Sequence, residues 1–251
     1  MLKSLCIAFA TYSRIPTPRV EWTDASLRYA ICFFPLIGAV IGAAEYGWFR
    51  LAGVLGITGL LRGAVAAALP LLLTGGIHAD GFCDTVDALS SHQSRERMLE
   101  ILKDSHCGAF AVIFFAVWAM LWLAGWTSLD SGVSVLCAGL GLVISRALSG
   151  LALTHWSHAR KAGMLRTVAD AGSKPAVTAA MALYLLAACA GLLLLAPVRG
   201  AAVIAVNALA LLWYRSMSMR RFGGVTGDLA GCFVTVAELA TVLTLALTAG
   251  V

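Results

Sequence analysis

The sequence predicts an all-α, polytopic membrane protein with about seven transmembrane helices and one polar, cytoplasm-facing end. Three observations predict it. Of 251 residues, 60% are apolar and only 12% are charged, about half the charged share of a soluble domain. The mean hydropathy is +0.88, and a soluble chain of this length would need more polar surface to cover its core. The charged residues gather in a few connections between apolar runs. These features exclude a disordered chain, a fibrous repeat and a disulfide-stapled secreted module. The seven cysteines are scattered and form no C-x-x-C, so neither a disulfide framework nor a thiolate zinc site is indicated.

At the start, Lys3 precedes an apolar run at 5–10, shorter than the ~7–15 residues of a signal-peptide core. Leu2, Leu5, Cys6 and Phe9 fall at helical spacing, which suits a short interfacial helix. Runs of ~20 mostly apolar residues mark spans: 31–49, 57–76, 109–127, 133–154, 177–196, 201–219 and 229–249. Arg62 and Pro70 interrupt the second, which ends in Gly75-Gly76. Small residues fill most spans, as helices in close contact within lipid require. No internal repeat or Pro/Ser linker divides the chain, so 1–251 reads as a single integral membrane domain.

Placing the N-terminus in the cytoplasm puts fourteen of the eighteen Lys and Arg on that side. Arg50, Arg62 and Arg199 fall on the other side, and Arg146 inside a span. The asymmetry is a positive-inside signal. The acids from Asp80 to Asp104, with Asp170 and Asp228, share the cytoplasmic side, as do all five histidines.

The richest stretch is Gly75-Gly76-Ile77-His78-Ala79-Asp80-Gly81-Phe82-Cys83-Asp84-Thr85-Val86-Asp87. On a helix Asp80, Asp84 and Asp87 fall at i, i+4, i+7 and share a face. Like charges there repel unless a cation intervenes. A hard cation such as Mg²⁺ takes carboxylate, phosphate and water oxygens. A solvated acidic face is the alternative, weakened by the lack of basic partners one turn away. Ser94 is placed to cap a short amphipathic helix through Met98, Leu99, Ile101 and Leu102. On its polar side Glu100 suits a surface pair with Arg97 or Lys103, and Asp104 stands just before the next span, near the acidic run.

A third polar cluster, Arg220-Arg221-Phe222-Gly223-Gly224-Val225-Thr226-Gly227-Asp228, opens the last span. Its glycines allow backbone N–H groups near an anion, and Asp228 suits a helix cap or a metal ligand. Glu238 lies inside that span, and an intramembrane carboxylate points to function. Glu45, nearer the opposite side, suits a helix–helix hydrogen bond. Arg146 requires a partner in lipid, a phosphate or one of these carboxylates. His155 and His158 read as interfacial, whereas His78 is a candidate base or ligand. No G-x-S-x-G, H-E-x-x-H or Walker loop occurs.

At these residues the sequence resembles the cobalamin synthase family, the adenosylcobinamide-GDP ribazoletransferases. The resemblance rests on Tyr12-Ser13-Arg14-Ile15-Pro16-Thr17-Pro18, Pro35-Leu36-Ile37-Gly38 and the run from Gly75 to Asp87. It continues through Arg97-Met98-Leu99-Glu100-Ile101, Lys103-Asp104-Ser105 to Gly108, Ser145-Arg146, and Gly223 to Asp228 with Glu238 behind. It covers nearly the whole chain, departing at Ala79 and around Cys107, and is loose over 157–174. It implies an Mg²⁺-dependent enzyme of the bacterial inner membrane in which α-ribazole, or its 5′-phosphate, displaces GMP from adenosylcobinamide-GDP. Bilayer lipid and these two substrates are the partners implied; nucleic acid is not, and a homo-oligomer is left open. Pattern and resemblance together assign Asp80, Asp84, Asp104 and Asp228 to the metal, and His78, Asp87 and Arg146 to catalysis. Arg14, Lys103, Arg221, Gly224 and Gly227 are assigned to substrate.

Two other classes compete. A CDP-alcohol phosphotransferase would share the metal chemistry, but Cys83-Asp84 stand where its core carries Ala-Arg. A secondary transporter would carry midplane acids and inverted repeats, whereas here the acids crowd one face.

Overall fold

The computed structural model describes residues 1–104, 106–160 and 163–250, so Ser105 and Lys161 lie outside the described residues. Its helices are α1 (Leu2–Tyr12), α2 (Asp24–Leu27), α3 (Phe34–Val54), α4 (Gly59–Thr74), α5 (Ile77–Ser90), α6 (Arg95–Ile101), α7 (Ala109–Ser128), α8 (Gly132–His155), α9 (Met164–Ala171), α10 (Lys174–Leu195), α11 (Pro197–Met217) and α12 (Gly227–Leu247). Six helices are long and apolar enough to cross a membrane, and α4 with α5 makes a seventh if counted as one bent span.

The central helices are α8 and α12, whose most apolar windows are 78% and 67% buried within the protein. The same measure is 22–28% for α7, α10 and α11, which therefore turn most of their surface to lipid. Close approach at the centre comes from small residues. A Cβ on Gly42 of α3 would stand 2.7 Å from the Cα of Gly139 on α8.

The second span differs from the expectation of one straight segment followed by a loop. Gly75 and Gly76 both adopt left-handed backbone, φ +67° and +76°, which glycine enters without steric cost. The chain turns by 89° there and continues at once as α5, packed across α12 and α7. α4 itself runs beside α7, with the Trp122 indole donating to the Ala67 carbonyl at 2.9 Å.

Near the N-terminus α1 forms as expected but rotates. It buries Ser4, Cys6, Ile7 and Ala8, while Leu2 stays 74% exposed. Ile7 packs against Leu27 and Ile31 and Phe9 against the adjoining core, so of the expected stripe Cys6 and Phe9 face the bundle and Leu2 does not. Ser94 caps α6 as expected, accepting from the Arg97 N–H at 3.4 Å. Glu100 pairs with Arg97 at 2.7 Å on the exposed side, a contact worth little in water.

Candidate active site

Glycines set the distance between α5 and the start of α12. A Cβ on Gly81 would lie 2.6 Å from the Asp228 carbonyl oxygen, and one on Gly231 would lie 3.2 Å from that of His78. This approach carries Asp228 to the helix bearing Asp80 and Asp84, one turn apart. Thr226, not Asp228, caps α12, its hydroxyl accepting from the Leu229 N–H at 3.2 Å. The Asp228 carboxylate is left to face Arg160 at 3.4 Å. Arg160 is a functional candidate that sequence reasoning missed, having counted it only among the basic residues. It is oriented by a second bond, to the Leu99 carbonyl at 3.2 Å.

Two cavities flank this group. The more enclosed one, of about 280 Å³, is lined by His78, Asp80, Asp228, Arg160 and Gly227 among others. A more open one of about 650 Å³ is lined by Arg14, Gly75, Gly76, Cys83 and again Asp80. His158, expected at the interface only, lines the enclosed cavity, because Val225 pairs with the backbone beside it. His155 bonds instead to Thr178 at 2.8 Å.

The third carboxylate of the i, i+4, i+7 set has another task. Asp87 accepts from the N–H groups of Gly108 at 2.6 Å and Ala111 at 2.9 Å. It thus holds the start of α7, where a negative charge is favoured. Its charge is met by backbone donors and requires no cation. Asp87→Ala is expected to lower stability by about 1–2 kcal/mol, read as a lower melting temperature in detergent. A wild-type melt would contradict that role.

Four further residues stand apart from this group. Asp104 does not join the aspartates: its side chain is 56% exposed and bonds the His106 ring at 2.6 Å. That contact holds its carboxyl below the usual range. Lys103 and Arg221 are exposed and line neither cavity. The Gly224 N–H is committed to the Ser218 carbonyl at 3.1 Å, and a Cβ there would meet Ser157 and Ala159 backbone at 2.5 Å. Gly224 therefore seats the 157–160 segment and offers no N–H to an anion. Among the described residues no three His, Cys, Asp or Glu side chains converge as a ligand set.

Behind the cavities Arg146 is fully buried and donates to Glu238, one of the partners expected for it. Ser145 donates to the same carboxylate oxygen at 3.3 Å. The Arg146 Nε and Nη2 and the His78 Nε2 are buried without a partner. Both residues line a small void of about 20 Å³, room for a water. Glu45 is not in the expected helix–helix hydrogen bond, as neither of its oxygens has a partner. It faces Arg62 and Trp126 across a small void at the opposite end.

The family model of cobalamin-5-phosphate synthase matches residues 4–246. A protein of Lachnoclostridium phytofermentans named adenosylcobinamide-GDP ribazoletransferase is 43% identical over 250 residues, covering 100% of this chain and 95% of its own length. Proteins of the same name from Pseudomonas savastanoi, 38% identical with 93% of each chain covered, and Azorhizobium caulinodans, 33% identical with 96% and 94% covered, are also similar. No solved structure matches. Matched from its first helix to its last across the aspartates, the cavities and the buried Arg146–Glu238 pair, the chain belongs to the cobalamin-5-phosphate synthase family.

Proposed function

We propose that the protein joins ribazole, or its 5′-phosphate, to adenosylcobinamide-GDP with release of GMP, at the cytoplasmic face of a bacterial inner membrane. The observation that carries the reading is the approach of Asp80 on α5 and Asp228 on α12 in one cavity with Arg160, Asp84 lying one turn further along α5. The relatives cited above all bear the ribazoletransferase name, which favours this reading over a CDP-alcohol phosphotransferase.

The donor set fits Mg²⁺. It is made of carboxylate oxygens, with Arg160 as the cation paired to it. Mg²⁺ needs only one or two carboxylates when phosphate and water complete its shell, so the absence of a converged triad among the described residues does not oppose it. Asp80, Asp84 and Asp228 would hold the ion, which supplies charge neutralisation to the diphosphate. In the transfer, a ribose hydroxyl oxygen of ribazole bonds to the phosphorus bearing cobinamide, and the bond from that phosphorus to GMP breaks. His78, whose ring lines the enclosed cavity, takes the hydroxyl proton. Arg160 and Arg14, one at each cavity, place positive charge where phosphate charge develops. Arg146 and Asp87 act one layer back, by positioning α8, α12 and α7.

In proteoliposomes GMP release is expected only when adenosylcobinamide-GDP, ribazole and Mg²⁺ are all present. Release without ribazole dependence would refute the transfer. The fourteen-to-three distribution of Lys and Arg between the two sides predicts sidedness separately. A His92→Cys substitution in a Cys-free background should react with an impermeant maleimide only from the cytoplasmic side. Labelling from outside would reverse the orientation.

A further inference from the structure

We infer that the two cavities are separate seats for the two substrates, meeting at Asp80: the enclosed one takes the apolar base of a ribazole-type nucleoside, the open one the diphosphate end of the large donor. The assignment rests on the transfer reading above for the identity of the ligands. Asp80, Ile77 and Thr11 line both cavities, so one wall is shared and groups seated on either side come together there.

The enclosed cavity has the chemistry of an aromatic-base site. Tyr12 and Phe34 are in ring contact at 4.5 Å, and Phe34 meets the His78 ring edge-on at 5.7 Å. All three line the cavity, with Leu153 and Val225 completing an apolar surround. Flat rings pack well against such walls. Its volume of about 280 Å³ is near the lower end for small-ligand sites, roughly 300 Å³, enough for a nucleoside and far too small for a corrin.

Ser149 gives the second, independent sign of an occupant. It lines this cavity, is 0% exposed, and its hydroxyl has no hydrogen-bond partner. A helical serine or threonine ordinarily returns its hydroxyl to a carbonyl of the preceding turn, as Thr154 on the same helix does to Gly150 at 2.8 Å. A buried hydroxyl left unpaired is costly, and a nucleoside's ring nitrogen or hydroxyl would satisfy it.

The open cavity has the opposite character. Arg14 lies exposed along it, its side chain laid over Gly75. Gly76 at the start of α5 lines it too, where the first-turn N–H groups of a 14-residue helix lack intrahelical partners. It is wide enough to admit one end of a donor whose bulk remains outside.

Equilibrium dialysis on the full chain in detergent, with radiolabelled ribazole or adenosylcobinamide-GDP supplied singly, tests this. Ser149→Ala is expected to weaken ribazole binding roughly five- to tenfold and to leave donor binding within twofold. Phe34→Leu should act in the same sense, and Arg14→Gln should weaken the donor about tenfold with ribazole unchanged. Unaltered ribazole binding in both Ser149→Ala and Phe34→Leu, or loss of both ligands together in any variant, overturns the assignment. Partitioned binding without GMP release would refute the transfer reading and leave the two seats standing. GMP release with unpartitioned binding would do the reverse.

Discussion

Asp80→Asn and Asp84→Asn are each expected to reduce GMP release by about a thousandfold or more, with membrane insertion unchanged. The amide keeps the shape of the carboxylate but removes its charge. Neither aspartate has an ion pair among the described residues, so the change orphans no buried cation and the fold is spared. In phosphoryl transfer the protein contributes chiefly positioning and charge stabilisation. Removing one such electrostatic contact from a preorganised site costs about 10²–10³ in rate, and losing an ion as well costs more. Near wild-type turnover in either variant at low millimolar Mg²⁺ would refute the assignment of that carboxylate to the metal.

The largest effect on stability is expected from Glu238→Ala. Glu238 is the partner of the fully buried Arg146, whose other two guanidinium nitrogens already lack partners. Removing the carboxylate would leave an uncompensated charge between α8 and α12, the two most buried spans. Breaking one side of a buried pair costs about 3–5 kcal/mol, whereas replacing both sides with apolar residues of similar volume is often neutral. Glu238→Ala should therefore melt far below wild type in detergent or fail to accumulate. The double variant Arg146→Met/Glu238→Leu should recover most of the lost stability. An unshifted melt for Glu238→Ala, or a double variant no better than the single, would show that the pair is not what holds these helices together.

The spans were legible in the sequence because length and apolar composition are what a bilayer requires. Asp80 and Asp84 were legible because a helix places i and i+4 on one face, and Arg146 because a buried cation must find an anion. The break between α4 and α5 was not. Two successive left-handed glycines before a polar segment read equally as the exit into a loop. Asp104 resembled the other acids in spacing from the membrane, but only the path of the chain after α6 shows it turned to solvent beside His106. Asp87 likewise looked like a third metal-facing carboxylate until the start of α7 was found above it. Arg160 carried no local signal at all. Its place opposite Asp228 depends on Val225 pairing beside His158, a contact between segments far apart in sequence.

The central claim is that carboxylates from α5 and α12 act as one unit on the diphosphate. A double-mutant cycle on GMP release tests it most directly, with Asp84→Ala, Asp228→Ala and the two combined. Groups serving one site lose their effect together. The account predicts that each single variant is severely impaired and that the double variant is no slower than the worse of the two. Losses that multiply, with Asp228→Ala only mildly slowed, would contradict it and reduce Asp228 to an ion-pair partner of Arg160.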